Sequence, residues 1–252
     1  MKLQPVVLCV ILVIVAVLML LYVGRPSSPT IDTIWVINLD KDKERMSNIL
    51  KNTRSFSNIV HRWPATYGKT EPIQSAFNDG VGHIICKRGY EPNTPDSDIV
   101  NRNEGAVGCW LSHKRLLTHL ASLDLPSHWG HLITEDDLEF QANFMELWEK
   151  RRHSIPKDWD IVYLGINKPN GTSIGGNLLR GVKVDVGNWG THAYMVKHGS
   201  LKHRILPKLR YMSHEIDVQL NMYFNNLNVY IMNPTILNVN DDIAAKSNIQ
   251  IR

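Results

Sequence analysis

Apolar residues along the chain fall into short runs and spaced stripes that alternate. Thr33–Asp40 is a run of β-branched and aromatic residues closing on polar groups, the pattern of a buried strand. Met46, Ile49 and Leu50 follow at helical spacing behind Asp40 or Asp42 as N-cap. Residues 63–103 are rich in Pro, Gly, Asn and Asp and carry little periodicity apart from Val81–Cys86, so they read as a surface excursion. From Glu104 a helix is clear, with Val107, Trp110, Leu111, Leu117, Leu120 and Ala121 along one stripe. His131–Thr134 is a further strand, Phe144, Leu147 and Trp148 mark a helix, and Trp159–Gly165 is another buried-strand run. Leu178–Val184 and His192–Val196 are expected as strands, the second after the turn Gly187–Gly190; Gly199–Leu209 and a segment from Ser213 are expected as helices. The polar tail from Asn233 is expected to wrap the sheet edge. The alternation predicts an α/β domain: a mainly parallel sheet with helices on both faces.

One run differs from the rest. Val6–Val23 is 18 residues without a charge, preceded by Lys2 and followed by the helix-breaking stretch Gly24–Pro29. Leu20–Val23 stays bulky up to the boundary, which favours an uncleaved anchor over a signal peptide. The expected organisation is therefore a transmembrane anchor over 1–24, a linker over 25–32 and one domain over 33–252. Lys2 favours a cytoplasmic N-terminus and a translocated body, in an ER or Golgi lumen, where Asn170-Gly-Thr172 is a usable glycosylation sequon.

Composition narrows the function by exclusion. The net charge is +4, with the basic residues scattered rather than blocked, which argues against nucleic acid as a partner. Three cysteines make no disulfide framework, although Cys86 and Cys109 are free to pair or stay apart. The glycine-rich dinucleotide fingerprint is absent, which disfavours NAD and FAD.

The chemistry gathers at strand ends. Glu135, Asp136 and Asp137 stand side by side where the strand begun at His131 should close, and in an open α/β sheet ligands collect at that edge. A hard, oxygen-preferring cation would relieve their repulsion; a solvated turn leading into a helix is the bland alternative. Asn38, Asp40 and Arg45 fall at the same edge, suited to a phosphate or a base, with a solvated helix face as the other reading of Arg45. Gly105 and Gly108 in the first turn of the long helix imply close approach of another backbone or of a ligand, and Ser112 and His113 follow one turn later.

In chain order Trp35–Asp40 with Arg45, Pro64–Gly68, Gly105–His113, the triplet 135–137, Asp160–Gly165, Thr191–Tyr194 followed by Gly199, and Ile216-Asp217 resemble glycosyltransferase family 25. That family comprises the bacterial lipooligosaccharide galactosyltransferases and the collagen hydroxylysine galactosyltransferase domain. The resemblance implies a GT-A fold, a UDP-hexose donor (galactose or glucose), Mn2+ or Mg2+, and transfer with inversion. It implies Asp137, with Glu135, on the metal; Glu135 and Asp136 toward ribose or base; and Asn38, Asp40 and Arg45 around the nucleotide. Ser112 and His113 carry over as donor-site residues and Asp217 as the general base, preferred to Glu215. The implied acceptor is a glycan, a lipid-linked glycan or a hydroxylysine-type protein hydroxyl. Glu135–Glu139 also looks like the metal motif of N-acetylglucosaminyltransferases, which keeps that donor open. The stretch Pro234–Asn240 lacks the Gln or His expected of a third protein ligand. A membrane-anchored, non-catalytic relative serving in binding or adhesion is the alternative.

Overall fold

The computed structural model describes residues 28–82 and 104–240. The anchor, residues 25–27 of the linker, Cys86 with its possible pairing, and residues 241–252 lie outside them. Among the described residues no helix is long and apolar enough to cross a membrane.

An eight-stranded sheet runs through the domain in the order β2-β1-β3-β8-β5-β9-β7-β6. Its strands are β1 (Thr33–Asn38), β2 (Val60–Pro64), β3 (Gly130–Glu135), β5 (Ile161–Asn167), β6 (Gly171–Gly175), β7 (Leu178–Gly181), β8 (Trp189–Lys197) and β9 (Val229–Met232). A two-stranded ribbon joins β4 (Leu138–Glu139) to β10 (Asn238–Val239). The helices are α1 (Lys43–Asn52), α2 (Ile73–Asn78), α3 (Glu104–Ser122), α4 (Phe144–Arg152) and α5 (Ile216–Asn221). A helical segment of uneven pitch, His198–Ser200, Leu201–Ile205 and Leu206–Leu209, occupies the stretch expected as one regular helix.

Successive residues of each strand face opposite layers. Ile37, Ile133, Tyr163, Tyr194 and Ile231 enter the core beneath α3 and α5, whereas Val36, Leu132, Val162, Met195 and Tyr230 enter the core beneath α1 and α4. Burial on both faces is why these strands read as nearly continuous apolar runs.

The sheet is mixed rather than mainly parallel. β1 pairs in parallel with β2 and β3, and β5 with β9, but β8 runs antiparallel to both β3 and β5 through the centre. A parallel return needs a crossover of a dozen or more residues, usually a helix. Between β5 and β8 the chain makes only the β6–β7 hairpin and a Gly-rich turn, and it re-enters where β5 left, with Asn167 opposite Trp189.

Leu50 is a second correction. The buried face of α1 is Met46 and Ile49, continued by Thr53, and Leu50 is left 46% exposed. The tail does wrap the sheet end as far as Asn240. Ile236 and Leu237 are buried and donate their N–H groups to Leu164 O, while the Asn240 N–H reaches Asp137 O at 2.8 Å.

Candidate active site

Because β1, β2 and β3 are parallel, their carboxyl ends share one edge, and β8 begins there too. A cleft of about 730 Å3, counted out to its open mouth, lies at this edge between the acid triplet, the Ala65–Lys69 loop and the first turns of α3.

The loop and the helix touch backbone to backbone. A Cβ on Gly68 would lie 1.7 Å from Glu104 O, and one on Gly108 would lie 2.6 Å from Thr66 O. The expected close approach is thus to a neighbouring backbone. Ser112 closes the joint: its hydroxyl donates to Gly108 O at 2.6 Å and accepts from the Thr66 N–H at 2.8 Å. It lines the cleft, yet its one donor and one of its two lone pairs hold helix and loop together.

The three acids diverge. Asp136 is buried and accepts from Asn38 Nδ2 at 2.6 Å and from Arg45 at 3.1 Å. Burial outweighs these contacts and raises its pKa. Asn38 is itself fully engaged: Nδ2 also donates to Asp42 O, and Oδ1 accepts from Arg62 Nε at 2.8 Å. It positions Asp136 and Arg62 rather than facing a ligand. Asp40 pairs with Arg62 at 2.5 Å, its side chain 85% exposed, and it is not among the residues lining the cleft, whereas Asp42 and Arg45 are.

Glu135 accepts from Thr191 Oγ1 at 2.9 Å and lies 3.6 Å from His113 Nε2. Burial would raise its pKa, but His113 and the Thr191 hydroxyl, helped by the charge of His192, hold it below the ordinary value. His113 is fully buried, with Nδ1 2.9 Å from the Tyr194 hydroxyl. Asp137 has weaker support, from the charge of Arg45 and its own backbone N–H. Its Oδ1 is buried without a hydrogen-bond partner; burial first, then the charges of Glu135 and Asp136, push its carboxyl up to about 7. A buried carboxylate oxygen without a donor, beside other carboxylates, suits a hard divalent cation. Asp137 and Glu135 therefore fit the metal implied by the sequence.

Asp217 stands outside the cleft lining, in the first turn of α5. Its Oδ2 accepts the Gly190 N–H at 2.7 Å and its Oδ1 accepts the Val218 N–H at 2.8 Å. It remains electrostatically part of the site, since its charge, after burial and Glu135, helps raise the Cys109 thiol. Glu215 precedes α5 and makes no capping hydrogen bond.

Cys109, Thr191 and His192 carried no site role in the sequence reading, although each lies in a stretch that resembles the family. Cys109 was legible as one helical turn before His113. Thr191 and His192 were not, because their place depends on β8 running antiparallel into the cleft.

The model of glycosyltransferase family 25, described as an LPS biosynthesis protein family, matches residues 31–170. The chain belongs to glycosyltransferase family 25. The match takes in Asn38, Arg45, Ser112, His113 and the acid triplet, and it ends before Asp217. Two family 25 members are similar to the chain. One, from Drosophila pseudoobscura pseudoobscura, is 27% identical over 140 residues, covering 54% of this chain and 21% of that protein. The other, from Anopheles gambiae, is 25% identical over 138 residues, 52% of this chain and 21% of that protein. The aligned part of the family 25 chain thus spans about a fifth of each relative's length.

Proposed function

We propose that this family 25 domain is a metal-dependent, inverting glycosyltransferase that moves a hexose, galactose or glucose, from a UDP-sugar to a hydroxyl of a glycan, lipid-linked glycan or hydroxylysine-type acceptor. The observation that carries the reading is Asp137, a carboxylate with a buried, unpartnered oxygen and a raised pKa among the residues that line the cleft.

Asp137 and Glu135 would hold Mn2+ or Mg2+, which supplies charge neutralisation for the departing diphosphate. The chain's own groups supply the rest. Arg45, held by Asp136, places a guanidinium on the cleft wall for an anionic donor. Asn38 fixes one wall from behind, and Ser112, itself on the lining, fixes the other. Asp217 takes the proton from the acceptor hydroxyl as that oxygen bonds to the sugar carbon, and the bond from that carbon to the diphosphate oxygen breaks with its electron pair leaving on UDP. The two backbone N–H groups on Asp217 keep its carboxylate aimed while leaving lone pairs to accept the proton. Val6–Val23 anchors the domain to a membrane, with the body in the ER or Golgi lumen.

The test is to incubate the purified chain with a panel of UDP-sugars, with and without Mn2+, and to measure UDP release. Hydrolysis of one UDP-hexose that stops on chelation is expected. Release of no UDP from any donor would favour the non-catalytic binding module. UDP binding of equal strength with and without Mn2+ by calorimetry would remove the metal from the reading.

A further inference from the structure

The same cleft carries a second set of donors of different chemistry. Cys109 and His113 sit four residues apart on α3, and so on one face of it. Ligand atoms from Cys109, His113 and Glu135 all lie within 4.8 Å of one another. The Tyr194 hydroxyl at 2.9 Å from Nδ1 orients the imidazole so that Nε2 faces Glu135, the outer-shell support that metal-binding histidines ordinarily have. Thr191 braces Glu135 in the same way from β8. Cys109 and Glu135 are only half-buried and line the cleft, which provides a path of entry.

We propose that Cys109, His113 and Glu135 form a binding site for a thiophilic divalent cation, Zn2+ or a similar ion. It is distinct from the all-oxygen site at Asp137 and shares Glu135 with it. Sulfur and imidazole select this class of ion over Mn2+ or Mg2+, which prefer carboxylate and water. Three protein ligands leave a fourth position open toward the cleft, as in zinc sites that keep an exchangeable ligand. Binding converts the Cys109 thiol to a thiolate and releases its proton to solvent through the cleft. On the functional reading above, one Glu135 cannot fully serve both ions, so Zn2+ acts as an inhibitor that Mn2+ relieves. The site itself does not depend on that reading.

The test uses the full chain, stripped of metal and titrated with Co2+, whose thiolate complex absorbs in the near ultraviolet. Wild type and Cys86→Ser should show the thiolate-to-cobalt band, and Cys109→Ser should lose it. Glu135→Gln, which keeps a hydrogen-bond acceptor for Thr191, should weaken Co2+ binding by roughly tenfold or more, and it covers the case in which Cys109→Ser fails to fold. Asp137→Asn should keep the band while losing Mn2+-dependent UDP binding, so failure of this site and failure of the transferase reading register separately. No band in wild type, a band that survives Cys109→Ser, or unchanged Co2+ affinity in Glu135→Gln overturns the proposal.

Discussion

Two aspartates, Asp160 buried whole and Asp137 half-buried with one carboxylate oxygen out of solvent, stand at opposite edges of the central sheet, and the contrast between them separates structure from function. Asp160, immediately before β5, is 2% exposed and fully served: Ser200 Oγ donates at 2.6 Å, Arg204 donates twice at 2.7 Å, and the Asn228 N–H donates at 2.7 Å. Asp137, just beyond β3, has a buried oxygen that receives nothing, and the carboxylates of Glu135 and Asp136 beside it. Both residues lie in stretches that match family 25, so membership alone does not tell them apart. What does is satisfaction: a buried charge that the fold has fully paired is holding the fold, and one left unpaired is reserved for something the fold does not contain.

The sharpest break in this comparison is Asp137→Asn. The substitution keeps the shape and removes the charge, so Mn2+-dependent UDP binding should fall by roughly 100-fold or more, with the fold intact. Calorimetry with UDP and Mn2+ checks it; unchanged affinity would return the triplet to a solvated turn.

Asp217→Asn should come next. It is expected to lower kcat by about 100-fold, the usual span of general-base loss, with little change in UDP affinity. Because Asp217 also pins the Gly190 N–H, a melting temperature a few degrees lower is expected as well, and Glu215→Gln should leave both quantities near wild type. Saturating turnover close to wild type in Asp217→Asn would place the base elsewhere.

Asp160→Ala is the mirror experiment. It strands Arg204, Ser200 and the Asn228 N–H, and Arg204 is half exposed and able to recover water, so a loss of about 2–3 kcal/mol is expected. UDP affinity of the folded fraction should not move. A stable Asp160→Ala with impaired UDP binding would reverse the roles assigned to the two edges.

The same distinction explains what the sequence revealed. The runs of β1, β3 and β5 and the stripe on α3 were legible because burial on two faces, or on one helical face, leaves a periodic imprint. The direction of β8 left none, since an antiparallel and a parallel central strand carry the same apolar run. The triplet was visible as a cluster of charge, but the different fates of its members were not. Asp136 is committed by Asn38 and Arg45, which lie 98 and 91 residues away along the chain. Ser112 likewise looked like a donor-site residue until its partners Thr66 and Gly108 showed it clamping the loop to the helix. Periodicity encodes local geometry, whereas the partners of a polar side chain are set by topology.

The smallest expected effect is the most direct test of whether Asp137 carries its charge against a buried, unpartnered oxygen. With chelator present, its carboxyl is pushed up to about 7 when folded, against 3.8 for an ordinary aspartate. The folded chain therefore holds a proton that the unfolded chain has released, and this group's contribution to stability falls as pH rises from about 4 through about 7. His131, at the start of β3, has the opposite sign: burial lowers its pKa to about 4 from 6.5, so its contribution is lost as pH falls through that window. The two slopes oppose each other, so the wild-type curve alone is uninformative, and the comparison must be with Asp137→Asn, in which only one is removed. At pH 5 the neutral acid and the amide are close equivalents and the two proteins should melt together. At pH 8 wild type must keep a carboxylate with one buried, unpartnered oxygen, and metal-free Asp137→Asn should be the more stable by about 1–2 kcal/mol, at roughly 2–4 °C in Tm for each kcal/mol. Added Mn2+ should then raise the Tm of wild type at pH 8 and leave that of Asp137→Asn nearly unchanged. If the variant is instead the less stable protein at pH 8 without metal, Asp137 is paired within the fold as Asp160 is, and the contrast between the two edges fails.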